Sequence, residues 1–160
     1  MRYLGYLLLF ALIAFGIWPY YSVFRLDHAL GQPGTSALAE LVDLPAIQAN
    51  YKERLAGGLD VLPKTGETGE VMAWLEQNLQ RLGDAALSQV ITLDWVRSTL
   101  QRAAARANTQ KPPYLIAGVT FAFFESYDRF LVRVGELGQG ATHIRLRLEG
   151  GLWRVTDIIP

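Results

Sequence analysis

Cysteine is absent from the 160-residue chain, and only two histidines and two methionines occur. Disulfides, a thiolate nucleophile, iron–sulfur clusters and cysteine-ligated zinc are therefore closed to it. A surplus of either charge is missing as well, since 15 Lys and Arg cancel 15 Asp and Glu. No net positive field marks nucleic acid as a partner. No Gly-x-Ser-x-Gly elbow and no phosphate-binding glycine loop occurs. These absences remove most routes to a named chemistry, and no catalytic residue, metal or cofactor is expected.

What the chain has in excess is apolar surface, 51% of its residues with a mean hydropathy of +0.16. Much of it lies in Tyr3 to Trp18, an unbroken run of apolar, aromatic and glycine residues behind Arg2 and ahead of Pro19-Tyr20-Tyr21. As a helix this run spans about 24 Å, and continuing through Phe24 lets it cross a hydrocarbon core of ~30 Å. Trp18, Tyr20 and Tyr21 then fall at interfacial depth. Residues 1–24 are expected to be a membrane anchor or signal segment. Cleavage after Ala14-Phe15-Gly16 would leave Ile17-Trp18-Pro19 as an awkward new start, so an uncleaved anchor is the preferred reading. No cysteine follows, which excludes lipoprotein processing. Arg2 and the amino terminus favour the cytoplasmic side, placing the rest beyond a single-pass inner membrane, in the periplasm. The lack of cysteine is compatible with an oxidising compartment.

Residues 25–160 form a single expected domain with a helical half, 25–111, and a strand half, 114–160. Arg25 to Leu30 continues the first helix, which ends at Gly31 before Pro33-Gly34. Thr35 or Ser36 caps a short helix carrying Leu38, Leu41 and Val42. Asp43 caps the next, with Pro45 in its first turn and Leu44, Ile47, Tyr51 and Leu55 as its apolar stripe. Lys52, Glu53 and Arg54 lie off that stripe. Gly57 to Gly69 reads as a loop and is followed by a helix with Val71, Trp74, Leu75, Leu79 and Leu82 on one side, stopped by Gly83. Asp84 starts a short turn, and Thr92 caps a helix in which Leu93, Val96 and Leu100 face inward.

Beyond Pro112-Pro113 the apolar period changes from 3.6 to 2. Phe121 and Phe123 share a face, as do Phe130, Val132 and Val134, then Ile144, Leu146 and Leu148. Gly138-Gln139-Gly140 is a turn and Gly150-Gly151 a two-residue hairpin. Trp153 and Val155 face inward in the last strand, with Arg154 and Thr156 outward. Four strands joined by tight turns predict an antiparallel sheet whose apolar face the helices cover, an α+β fold. Phe121, Phe123, Phe130, Trp153, Trp74 and Tyr51 are the expected aromatic core.

Three stretches together carry a family resemblance. They are the anchor ending in Pro19-Tyr20-Tyr21; the run Ala37 to Ile47 with Tyr51-Lys52 and Leu55; and Phe124-Glu125-Ser126-Tyr127-Asp128-Arg129-Phe130 with Trp153 to Ile158 and Pro160. The chain resembles the bacterial family called domain of unknown function 2939 (DUF2939) at both ends, with little match from Gly57 to Pro113. The resemblance implies a membrane-associated bacterial protein and supplies no activity. Helices followed by a curved sheet are also similar to the NTF2-like architecture, an analogy of fold alone.

Two kinds of function fit. The preferred one is a non-enzymatic, membrane-tethered extracytoplasmic module that binds a protein, peptide or envelope component, with an envelope protein or an anionic lipid or polymer as candidate partners. Its candidate binding residues are Arg129, Arg133, Arg145, Arg147 and Arg154, expected on the outward face of the sheet with few acidic partners in the strands. The alternative is an NTF2-like small-ligand binder or enzyme with a pocket between helices and sheet. Glu125, Asp128 and His143 are the candidate polar residues, and a cavity holding them would favour it. Lys64-Thr65-Gly66 matches one motif of serine β-lactamases, yet no serine has a lysine three positions on, so that chemistry is rejected.

Overall fold

The structure, a computed structural model, describes residues 2–56, 87–108 and 113–160. The expected Gly57–Gly69 loop, the helix carrying Val71, Trp74, Leu75, Leu79 and Leu82, the Asp84 turn and Lys64-Thr65-Gly66 lie outside the described residues. Helix α1 (Arg2–Gly31) is followed by α2 (Ser36–Leu41), α3 (Leu44–Ala56), a helical turn at residues 87–90 and α4 (Leu93–Ala107). A 3₁₀ turn (Ile116–Gly118) leads into strands β1 (Val119–Ser126), β2 (Arg129–Val134), β3 (Thr142–Glu149) and β4 (Leu152–Ile159). The strands form one antiparallel sheet in sequential order, so the fold is α+β as expected.

Local chemistry accounts for the boundaries. Asp43 caps α3, its Oδ1 accepting the Ala46 amide at 3.1 Å, while Pro45 occupies the first turn where it costs no hydrogen bond. Thr92 caps α4 in the same way, accepting from the Trp95 amide at 3.2 Å. Thr35 stands at the start of α2 without a side-chain cap bond. Gly150 and Gly151 have φ of 56° and 79°, the pair of left-handed residues that a tight hairpin between twisted strands demands.

One face of the sheet is dry. Phe130, Val132, Ile144, Leu146, Trp153, Val155 and Ile158 are buried against Val23, Leu26 and Leu30 of α1, Leu38 and Leu41 of α2, Ile47 and Tyr51 of α3, and Val96 and Leu100 of α4. The edge of β4 is sealed rather than left open. The Asp43 amide donates to Val155 O at 2.9 Å, Asn50 Nδ2 to Thr156 O at 2.9 Å, and Tyr51 Oη to Ile158 O at 2.8 Å.

The structure corrects two expectations of side-chain placement. Phe121 and Phe123 share a face, but it is the outward one, where they are 48% and 39% exposed. Phe124 pairs with Phe130 and takes the inner place, because residues opposite one another across antiparallel strands share a face. Thr156, expected outward, is buried in a bulge: Leu146 pairs with Val155 and Arg145 with Asp157, leaving Thr156 as the extra residue. Arg54, expected off the apolar stripe, forms a largely buried ion pair with Asp157.

The two parts of α1 have different surroundings. Every side chain from residue 3 to residue 14 is exposed, whereas Ser22, Val23, Leu26, Ala29 and Leu30 are buried in the domain. Phe15 marks the junction, stacked on Phe124 at 5.9 Å between ring centroids. Over Tyr3–Gly31 the helix is long and apolar enough to cross a membrane.

Candidate binding surface on the outer face of the sheet

The candidate residues stand in three cross-strand rows. Nearest the two hairpins, Arg129, Arg147 and Arg154 lie opposite one another on β2, β3 and β4. The middle row is Phe123, Leu131, Arg145 and Asp157, and the third is Phe121, Arg133, His143 and Ile159. Register thus brings all five arginines to one face.

They are not equally free. Arg145 donates from Nε and Nη2 to the two oxygens of Glu125 at 2.8 and 3.2 Å, and from Nη1 to Asp157 at 3.4 Å. The few acidic partners that the strands supply, Glu125 and Asp157, are thus gathered on this one arginine. Arg54 reaches over from α3 and grips Asp157 with both terminal nitrogens at 2.6 and 2.8 Å. The Asp157 side chain is only 3% exposed, so its charge is compensated by two guanidinium groups. Arg147 meets Asp128 only loosely, at 3.7 Å. Arg133 lies over the Phe121 ring at 5.2 Å and donates to Thr120 Oγ1 at 3.1 Å. Among the described residues, no carboxylate comes within ion-pair distance of Arg129, Arg133 or Arg154.

The polar candidates do not form one site. Ser126 donates to Asp128 at 2.6 Å, and this hydroxyl, followed by backbone and arginine contributions, holds the carboxyl below its ordinary range despite opposing desolvation. Glu125 is committed to Arg145. His143 stands across from Arg133, and partial burial, reinforced by Arg133 and Arg145, pushes its imidazole below its ordinary value. It therefore tends to stay neutral and to spare the face a further positive charge. His28, the other histidine, is on α1 and exposed.

Three participants escaped the sequence reading: Arg54, Asp157 and Glu149. Asp157 had a usable signal, a single carboxylate between Val155 and Ile158-Ile159 that needs a cation if the strand is packed. Glu149 lies near Asp43, and burial, then the Asp43 charge, raises its carboxyl against the opposing pull of Arg147 and Arg154.

Two grooves among the described residues contain none of Glu125, Asp128 and His143. One, of about 480 Å³, lies between α1 and α2 beside Tyr21, Arg25, His28 and Glu40. The other, of about 870 Å³, lies between α1 and α4 beside Phe24, His28, Arg97, Arg102 and Tyr114. Between helices and sheet, the corresponding space is occupied by Phe124, Phe130, Trp153 and Tyr51. Among the described residues, no cluster of three His, Asp or Glu is placed to hold a metal ion.

Fold and surface together define an α+β domain carried on a long apolar N-terminal helix, with a charged outer sheet face. Residues 8–99 match the family of proteins of unknown function DUF2939, and the chain belongs to that family. The match runs from the exposed part of α1 into α4, joining the apolar helix and the helical half of the domain in one family unit. Comparison with curated proteins and with solved structures gives no match.

Proposed function

We propose that the protein is a membrane-anchored extracytoplasmic module that works by binding an envelope component rather than by catalysis. The observation that carries this reading is the continuity of α1. Its exposed apolar part runs without a break into a part built into the hydrophobic core. A removable leader has no reason to share a helix with the core. The candidate cleavage site at Ala14-Phe15-Gly16 lies within that helix, and Phe15 packs on Phe124 and Trp153. Opening the backbone there sacrifices those ring contacts. Arg2 and the amino terminus on the cytoplasmic side then put the domain on the periplasmic face of the inner membrane.

A binding role is supported by the dispersal of Glu125, Asp128 and His143 over an open face, where Glu125 pairs with Arg145, Asp128 with Ser126, and His143 stands across from Arg133. Carboxylates used in acid–base chemistry need a shared site that separates their pKa values. Mass spectrometry of protein purified from membranes tests the anchor. The expected result is a peptide bond intact between residues before Ala14 and those after Ile17. Recovery of a soluble species beginning near Ile17 overturns the reading.

A further inference from the structure

The path of α1 across the sheet orients the domain. Phe15 lies 5.9 Å from Phe124 and 6.4 Å from Trp153, beside the β1–β2 and β3–β4 hairpins. Five residues on, Tyr20 packs on Phe130 at 4.9 Å, and its hydroxyl reaches Ala122 O at 3.5 Å. Two turns further, the Asp27 carboxylate accepts the Leu115 and Ile116 amides, at the opposite end where β1 begins. The helix therefore runs from the hairpin end toward the start of β1, and residues 3–14 project beyond the hairpins.

Length fixes the depth. Twelve exposed residues supply about 18 Å of helix against a hydrocarbon core of ~30 Å. The exposed part therefore leaves no length for a spacer between bilayer and domain, and a short span is met by local thinning of the bilayer. Phe15, the next residue, is already packed at the hairpins, so the hairpin end is held at the headgroup layer.

That end has the chemistry such a layer requires. Tyr127 and Leu152 are exposed at the two hairpins. Immediately behind them stands the row Arg129, Arg147 and Arg154, on strands about 4.8 Å apart. Like charges directly opposite one another destabilise a sheet unless something anionic lies over them. The contact from Asp128 to Arg147 is long, and Arg154 Nε is buried without a hydrogen-bond acceptor. Glu149, the other nearby acid, acts on Arg147 and Arg154 only through space, beyond ion-pair distance.

Resting on the anchor reading above, we infer that the hairpin end is a membrane-facing surface on which Arg129, Arg147 and Arg154 bind the phosphates of anionic phospholipids. Aromatic and aliphatic tips enter the interface while the guanidinium row stays at phosphate level. The membrane on which α1 is anchored thus becomes a ligand of the sheet.

The 160-residue chain in nanodiscs of neutral phosphatidylcholine with a minority of phosphatidylglycerol provides the test. Because the chain has no cysteine, Tyr127→Cys and, at the opposite end, Leu137→Cys each accept one fluorophore. Headgroup-nitroxide lipid should quench the label at 127 several-fold more than the label at 137. Labelled phosphatidylglycerol should quench about fivefold more than labelled phosphatidylcholine, the factor one interfacial arginine supplies. That preference should fall to near one in Arg129→Gln/Arg147→Gln/Arg154→Gln, and fall in part in Arg147→Gln alone. Stronger quenching at 137 overturns the orientation. Equal quenching by the two lipids, or a preference that survives all three substitutions, overturns the arginine–phosphate contact and leaves another envelope partner for the row. A chain that fails to enter the discs overturns the anchor reading itself, which is a separate failure.

Discussion

The two faces of the sheet are built from the same four strands and alternate residue by residue, yet they obey different rules. On the inner face Phe130, Val132, Ile144, Leu146, Trp153 and Val155 gain stability by leaving water, whichever apolar neighbour they meet. On the outer face the outcome depends on who stands opposite whom. Arg145 falls beside Glu125 and Asp157 and is neutralised, while Arg147, two residues on, falls between Arg129 and Arg154. Hydrophobic burial follows from residue type, whereas charge pairing follows from register.

The sharpest way to break this contrast is on β2, whose adjacent rows expose both faces. Phe130→Ala should lower stability by about 3–5 kcal/mol through lost burial and a cavity among Phe124, Tyr20 and Trp153. Arg133→Ala, on the other face, should cost about 0.5–1 kcal/mol, the worth of its contact with the Phe121 ring. Denaturant unfolding of the detergent-solubilised chain measures both, and equal losses would erase the distinction.

Next in size is the carboxylate that makes part of the outer face behave like a core. Arg54→Met should cost about 3 kcal/mol, because Asp157 is left buried with only the longer Arg145 contact. Adding Asp157→Asn should restore much of that loss, since the damage comes from an uncompensated charge. If the double variant is no more stable than Arg54→Met alone, Asp157 owes its place to packing instead.

The smallest effect is a slope. His143 has a folded-state value below its unfolded value of about 6.5, so the unfolded chain binds more protons as the pH falls through that point. The contribution of His143 to stability is accordingly complete above about 6.5 and declines below it, until the folded group also protonates. His143→Gln should therefore flatten the stability profile between pH 7.5 and 5.5. Stability curves of unchanged shape would show that the flanking arginines are too well solvated to matter.

What was legible in the sequence follows the same division. The long first helix ending at Gly31, the caps at Asp43 and Thr92, the Gly150-Gly151 hairpin and the four-stranded antiparallel sheet all arise from local signals, and the structure shows each of them. All five arginines were placed together because β2, β3 and the first half of β4 alternate strictly. The phase of β1 was not legible: Phe121, Phe123 and Phe124 offer aromatics to both faces, and only pairing with Phe130 decides among them. The role of Arg54 was not legible either, because its partner lies 103 residues away. The partition of α1 was hidden too, since lipid and protein core make the same demand on a leucine.

The bulge at Thr156 gives β4 a spare residue. In a regular strand, losing one residue turns over everything that follows and exchanges core for solvent. Here Val155 already pairs with Leu146 and Asp157 with Arg145, so removing residue 156 would close the ladder into an uninterrupted run with Asp157 still outward and Ile158 still inward. The losses would be local: the Thr156 hydroxyl bond to Arg145 O and the Asn50 bond to Thr156 O. Chain length near the C-terminus is thus free to vary by one at this position without changing which side chains the domain shows to either face.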